Sequence, residues 1–353
     1  MDHSETGYAA VADLPLVVDG YDLEGHERSP SADFTRRTTV FALHGDGRTG
    51  RGEDVAYEPE DHEALAAAEP FEFAFEGTFG EFSDRLDATD LHDDPPARET
   101  NRAYRRWALE SAALDLALRQ NDTNLGTVLG RAYRPVRFVV STQVESMDRI
   151  DTLLAVNPEA EFKLDPEPEW GDAIFDALAA MNEAEDRIRV LDLKGFYEGT
   201  TVDVPADPDL YERTLETFPD AVIEDAFFTD ETRPLLEPEA DRLSFDYPVH
   251  GVESVEALPV EVRWLNIKPS RFGTVESLLE TVAWCEERDV RMYGGGQYEL
   301  AVGRDQIQAF ASLCYPDGPN DVAPRDYNEA QPPQTLPRSP LTPPSDPVGF
   351  GWD

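Results

Sequence analysis

The sequence predicts an α/β protein, a closed β/α-barrel preceded by an α+β domain, on three observations. Between about residues 135 and 315, short apolar segments alternate with amphipathic ones, which is the rhythm of parallel βα units. The first 130 or so residues lack that alternation. Polar residues also recur where the strand candidates end. Lys163, Asp192, Glu224, Asp246 and Lys268 follow one another at intervals of 22 to 32 positions, about one βα unit each. Seven or eight such units fit a closed barrel, whose active site lies at the C-terminal ends of its strands. These five side chains are therefore expected to share one mouth.

In chain order, residues 34–43 read as a strand entering the turn His44-Gly45-Asp46-Gly47, with residues 50–57 as its hairpin partner. Residues 71–82 read as a further extended region. Residues 101–119 carry Trp107, Leu109, Ala112, Leu114 and Leu118 at helical spacing. Barrel strands are predicted at 136–144, 161–164, 189–194, 221–224, 242–246, 262–268 and 290–293. Helices are predicted at 172–184, 209–218, 274–288 and 304–313. The last segment is Pro-rich and reads as an irregular tail. The resulting division is an α+β domain at 1–133, a barrel at 134–318, and a tail at 319–353 packed back on the first domain.

The chain has 353 residues, 40% of them hydrophobic, enough for a large core. Its formal charge of −43 would repel nucleic acid and anionic membrane, and no Lys/Arg cluster offsets it. No segment approaches a membrane span, and the start Met1-Asp2-His3-Ser4-Glu5 lacks the basic and apolar character of a signal peptide. With only Cys285 and Cys314, no disulfide framework is implied, and a cytoplasmic protein is expected. Acidic residues interleaved with apolar ones fit a folded protein with a carboxylate-rich, halophilic surface.

Lysine is nearly absent. Of 30 Lys and Arg residues, only Lys163, Lys194 and Lys268 are lysines. Arginine cannot give up its proton near neutral pH, whereas a partly desolvated lysine can. Side chains two apart on a strand point the same way, pairing Lys163 with Asp165, Asp192 with Lys194, and Asn266 with Lys268. Carboxylates from neighbouring strands, Asp192, Glu224 and Asp246, make a hard oxygen site suited to one Mg²⁺. Such a metal stabilises the enediolate left when a lysine removes the proton next to a carboxylate.

The stretch Trp264-Leu265-Asn266-Ile267-Lys268-Pro269-Ser270-Arg271-Phe272-Gly273 closely resembles the strand-six signature of the muconate-lactonizing branch of the enolase superfamily. Gly294-Gly295-Gly296-Gln297-Tyr298-Glu299 resembles its strand-seven motif, and Val222-Ile223-Glu224-Asp225 and Leu191-Asp192 the strands bearing its first two metal ligands. Gly50-Arg51-Gly52-Glu53 is similar to its capping domain. The resemblance implies a modified TIM barrel of the (β/α)7β type with an N-terminal capping domain. It implies Mg²⁺ on Asp192, Glu224 and Asp246, with Lys268 as acid/base on one face and Lys163 on the other. Asn266, Ser270, Gly295 and Glu299 are candidate substrate contacts. The implied activity is α-proton abstraction from a small-molecule carboxylate by a cycloisomerase, an epimerase, or a lyase of the o-succinylbenzoate synthase type.

The chain departs from that pattern at three places. Asp165 stands where the second lysine of strand two belongs, Lys194 replaces the usual Asn of strand three, and Glu224-Asp225-Ala226 replaces Glu-Gln-Pro. Either Lys163 or Lys194 covers the second face, or Lys268 acts alone. A barrel that binds metal and ligand without catalysis is the alternative function. Arg36 and Arg37 are candidates for a substrate counter-charge or for surface ion pairs. Substrate identity and oligomeric state stay open, a homo-oligomer included.

Overall fold

The computed structural model describes residues 7–29, 35–200 and 202–352. Phe34, at the head of a predicted strand, and the extreme N-terminus read for a signal peptide lie outside them. The N-terminal domain holds strands β1 (Pro15–Val18), β2 (Gly20–Arg28), β3 (Arg36–Gly45), β4 (Arg48–Asp54) and β5 (Phe75–Thr78). Its helices are α1 (Tyr8–Ala12), α2 (Pro59–Ala67), α3 (Phe79–Asp87), α4 (Thr100–Gln120) and α5 (Leu125–Leu129). Strands β2, β3 and β4 form an antiparallel meander, and β1 pairs with β5. Asp46 and Gly47 turn β3 into β4 with φ of 47° and 70°, the double positive φ that a two-residue Asp-Gly hairpin requires.

The extended region predicted at 71–82 is only partly extended. Phe79–Asp87 is helical, because Thr78 accepts the Glu81 amide while the Glu81 side chain accepts the amide of Thr78. That capping box starts a helix where the run of phenylalanines suggests a strand. Helix α4 lies against β4 at unusually short range. A Cβ on Gly52 would stand 2.1 Å from the Ala108 carbonyl, and one on Gly50 2.2 Å from the Leu116 nitrogen. The two glycines of the Gly50-Arg51-Gly52-Glu53 motif are thus a packing requirement.

The second domain follows the predicted alternation. Strands β6 (Val140–Thr142), β7 (Phe162–Leu164), β8 (Ile188–Asp192), β9 (Val222–Glu224), β10 (Leu243–Phe245), β11 (Trp264–Ile267) and β12 (Arg291–Gly294) form a parallel sheet in sequence order. Between or after them run α6 (Asp148–Val156), α7 (Asp172–Glu185), α8 (Pro208–Thr217), α9 (Arg233–Leu236) and α10 (Val252–Glu256). Then come α11 (Pro269–Phe272), α12 (Val275–Glu287) and α13 (Val302–Cys314). Strands such as β7, β9 and β10 are buried along their whole length, as expected of a parallel sheet covered on both faces. Any polar residue among them must then find its partners inside the barrel.

Single parallel bridges, Phe138 to Asn320 and Gly295 to Asp321, join one short segment to both edges of the sheet. Residues 320–321 thus occupy the eighth position of the barrel, although they lie in the stretch expected to be tail. Beyond them the chain returns to the first domain: the Phe350 amide donates to Asp115 on α4, and the Phe350 ring meets Trp107 edge-on. Buried Glu53 accepts the amides of Leu300, Ala301 and Gly303, tying β4 to the start of α13. These carboxylate contacts with a helix N-terminus hold the two domains in register.

Candidate active site at the barrel mouth

The strands deliver the predicted polar residues to one place. A cavity of about 490 Å³ is lined by Lys163, Lys194 and Lys268, every lysine of the chain, together with Asp165, Asp321 and Arg304. Tyr57 from the N-terminal domain and Tyr298 after β12 form part of its rim. Hollows of about 570 and 630 Å³ elsewhere hold none of the lysines.

Beneath the lysines lie Asp192, Glu224 and Asp246, each 0% exposed. Lys163 Nζ sits 2.5 Å from Glu224 Oε1 and 3.0 Å from Asp192 Oδ2. Lys194 follows β8 with a φ of 54°. Its ammonium contacts Asp192 and stands 3.6 Å from Asp165 Oδ1. Lys268 Nζ is 2.6 Å from Asp246 Oδ2. Asp246 Oδ1 accepts from Arg271 Nε at 2.9 Å, and Tyr197 donates to Oδ2 at 2.8 Å.

Burial by itself disfavours every one of these charges. It would pull the Lys163 ammonium down, but Asp192 and Glu224 lift it well above its ordinary value. Lys194 is likewise raised, with Asp165 and Asp192 outweighing burial. Burial also works against the Asp192 and Asp246 carboxylates. The lysines beside Asp192, and Arg271 with Lys268 beside Asp246, override it and hold both well below the carboxylate range. Glu224 goes the other way, pushed up to about 7 by burial, with Lys163 only partly compensating.

Asp192, Glu224 and Asp225 present carboxylate oxygens within 4.8 Å of one another, the one such group among the described residues. Asp246 is not in it; its oxygens meet Lys268, Arg271 and Tyr197. Asp225 is engaged as well: its two oxygens accept the amides of Asp246 and Tyr247. The donor set is hard oxygen throughout, and the buried Asn266 Oδ1 beside Glu224 has no hydrogen-bond partner. These features fit a divalent cation such as Mg²⁺.

None of the four candidate substrate contacts is among the residues lining this cavity. Asn266 donates to both oxygens of Glu224 at 3.2 Å. Glu299 accepts the Gln297 amide and pairs with Arg304 at 3.2 Å. A Cβ on Gly295 would stand 2.8 Å from both Asn266 Oδ1 and Lys268 Cε, so only glycine leaves room for these two side chains here. Ser270 is buried on α11. Arg36 is buried, and its guanidinium donates to the carbonyls of Val55, Ala56, Gln297 and Tyr298. Arg37 pairs on the surface with Glu27 and Glu63.

Tyr197 and Tyr293 were not anticipated. Tyr293 on β12 donates to Glu224 Oε2 at 2.5 Å across the barrel. Its position inside a predicted strand is a usable signal, whereas Tyr197 lies in a loop whose path nothing local announces.

The sequence family described as "Domain of unknown function (DUF8230) C-terminal domain" matches residues 132–329, and its N-terminal counterpart matches 9–128. No curated protein matches the sequence significantly. Among solved structures, the chain is similar to muconate cycloisomerase from Pseudomonas fluorescens, with a TM-score of 0.65, 15% identity and 87% of each chain covered. It is similar to the muconate lactonizing enzyme from Pseudomonas putida, with a TM-score of 0.65, 16% identity, and 95% of this chain and 96% of that one covered. A dipeptide epimerase from Methylococcus capsulatus, complexed with a Mg ion, gives a TM-score of 0.63 at 18% identity, covering 84% and 88%. The resemblance read from the motifs therefore holds for the fold.

Proposed function

Starting from a chain that belongs to the DUF8230 family and has the fold of the enolase superfamily, we propose an enzyme that removes the proton α to a substrate carboxylate. The observation that carries this reading is the convergence of all three lysines on one cavity above buried carboxylates. A surface that has exchanged lysine for arginine has no structural reason to keep lysine only there.

Asp192, Glu224 and Asp246, with Asp225 beside them, would hold one Mg²⁺. When bound, it stabilises the negative charge that develops on the substrate carboxylate. Lys268 is the base we assign. It reaches the cavity from β11, and its ammonium has a single carboxylate contact. Lys163 and Lys194 are each held between two carboxylates and kept charged. They suit a second role, attracting the anionic substrate and opposing the charge formed on proton loss. In the step itself, the neutral amine form of Lys268 takes the proton and becomes an ammonium beside Asp246, the α C–H bond breaks, and its electron pair moves into the carboxylate to form an enediolate. The cycloisomerase, epimerase and lyase outcomes share this step and differ only in the later fate of the enediolate.

Incubation with a carboxylate library and Mg²⁺ in deuterated water tests the reading. Exchange at a carbon α to a carboxylate is the expected result. Metal retention with no exchange across the library would favour a barrel that only binds its ligand.

A further inference from the structure

Arg271 lies at a junction that the proposed chemistry does not use. It sits on α11, the short helix after the Lys268 strand, and is 6% exposed. Its Nε is 2.9 Å from Asp246 Oδ1. Nη2 is 3.3 Å from the Tyr197 hydroxyl, which itself donates to Asp246 Oδ2 at 2.8 Å. Nη1 is 3.4 Å from the hydroxyl of Tyr104, a buried residue of α4 in the N-terminal domain. One planar guanidinium thus touches a candidate metal ligand, a second group holding that ligand, and the other domain. The seam is close here. Gly273, with a φ of 73°, faces Ala103 of α4, and a Cβ on it would stand 3.4 Å from Ala103 Cα.

We infer that Arg271 is a positioning residue that couples docking of the N-terminal domain to the orientation of Asp246, and so to metal affinity. The inference rests on the metal site of the proposed function. Asp246 hangs from the end of β10, and its carboxylate direction is set by Arg271, Tyr197 and Lys268. Of these, Arg271 also hydrogen-bonds to α4. A carboxylate turned by a few tenths of an ångström changes its fitness as a ligand, which is why partners behind metal ligands affect affinity. A lysine at 271 would keep the charge but could not fork between Asp246, Tyr197 and Tyr104. Tyr104→Phe removes one hydroxyl from the far domain and leaves the ring in place.

The test is Mn²⁺ binding to the full chain, by calorimetry and by the electron paramagnetic resonance spectrum of the bound ion. Arg271→Lys should weaken Mn²⁺ binding about 10- to 100-fold. Tyr104→Phe should weaken it about three- to tenfold, with a changed spectrum and an unchanged melting temperature. In the Arg271→Lys background, Tyr104→Phe should add nothing, since the route between them is already cut. A parent chain that binds no Mn²⁺ would sink the proposed metal site and this inference with it. Normal binding that both substitutions leave untouched, or independent additive effects, would overturn this inference alone.

Discussion

The lysines at the mouth have divided roles because their neighbours differ. Lys163 and Lys194 each lie between two carboxylates, whereas Lys268 meets only Asp246. Lys268→Arg would put a guanidinium, which does not act as a base, in place of the lysine. α-Proton exchange should therefore fall at least ~10²-fold, the lower range for a lost general base, with Mg²⁺ affinity little changed. Exchange at the parental rate would remove Lys268 from its role. Glu224 sets the pH dependence of the metal site. Its carboxyl is raised to about 7, so below that pH it carries a proton that Mg²⁺ must displace. Calorimetry between pH 5.5 and 8 should show Mg²⁺ affinity falling about tenfold per unit below 7 and levelling off above it. Glu224→Gln should flatten that profile and weaken binding by more than ~100-fold, beyond the range for partners behind the ligands.

Among the elements, the β4–α4 contact is unforgiving. Gly52 faces backbone of α4 at distances no side chain tolerates, and neither partner can move without breaking hydrogen bonds. Gly52→Ala should cost about 3 kcal/mol, the upper part of the overpacking range, read as a lower unfolding midpoint in urea. The same element carries Glu53 to the start of α13, so the substitution should also loosen the domain seam. Strand and helix positions in the barrel were legible because period and composition there have a single physical cause, burial on both faces. Helix α3 was misread because its start depends on the Thr78–Glu81 side-chain exchange, which outweighs the local run of aromatics. Strand β2 went unpredicted: with Gly20, Gly25 and several charged residues it is an edge strand held by backbone pairing with β3.

For the molecule as a whole, the dominant quantity is the charge of −43. At a few millimolar salt, carboxylate repulsion reaches over ~30 Å or more, and at molar salt it is confined to a few ångströms. The melting temperature should rise steadily from low to molar KCl, and a flat profile would count against a salt-adapted fold. Arginine–carboxylate pairs such as Arg137–Glu161 and Arg131–Glu286 offset part of this repulsion, but partly exposed pairs contribute little each. No described helix is long and apolar enough to cross a membrane.

The sequence by itself determined the fold class and placed the lysines and acidic residues at successive strand ends. Both come from one-dimensional patterns, the alternation of burial along the chain and the spacing of βα units. Tertiary structure alone decided which of those groups meet. Asp165 and Lys194 lie 29 positions apart, just past β7 and β8, and the parallel pairing of those two strands brings them within 3.6 Å. Asp246 was expected to complete the metal site with Asp192 and Glu224. In the folded chain its oxygens meet Lys268, Arg271 and Tyr197, and Asp225 lies beside the other two. Residues 320–321 looked like tail because they are few and flanked by prolines. They close the barrel because the first and last strands leave a gap one strand wide. Local patterns carry burial and period, while partners across the barrel depend on where distant segments lie in space.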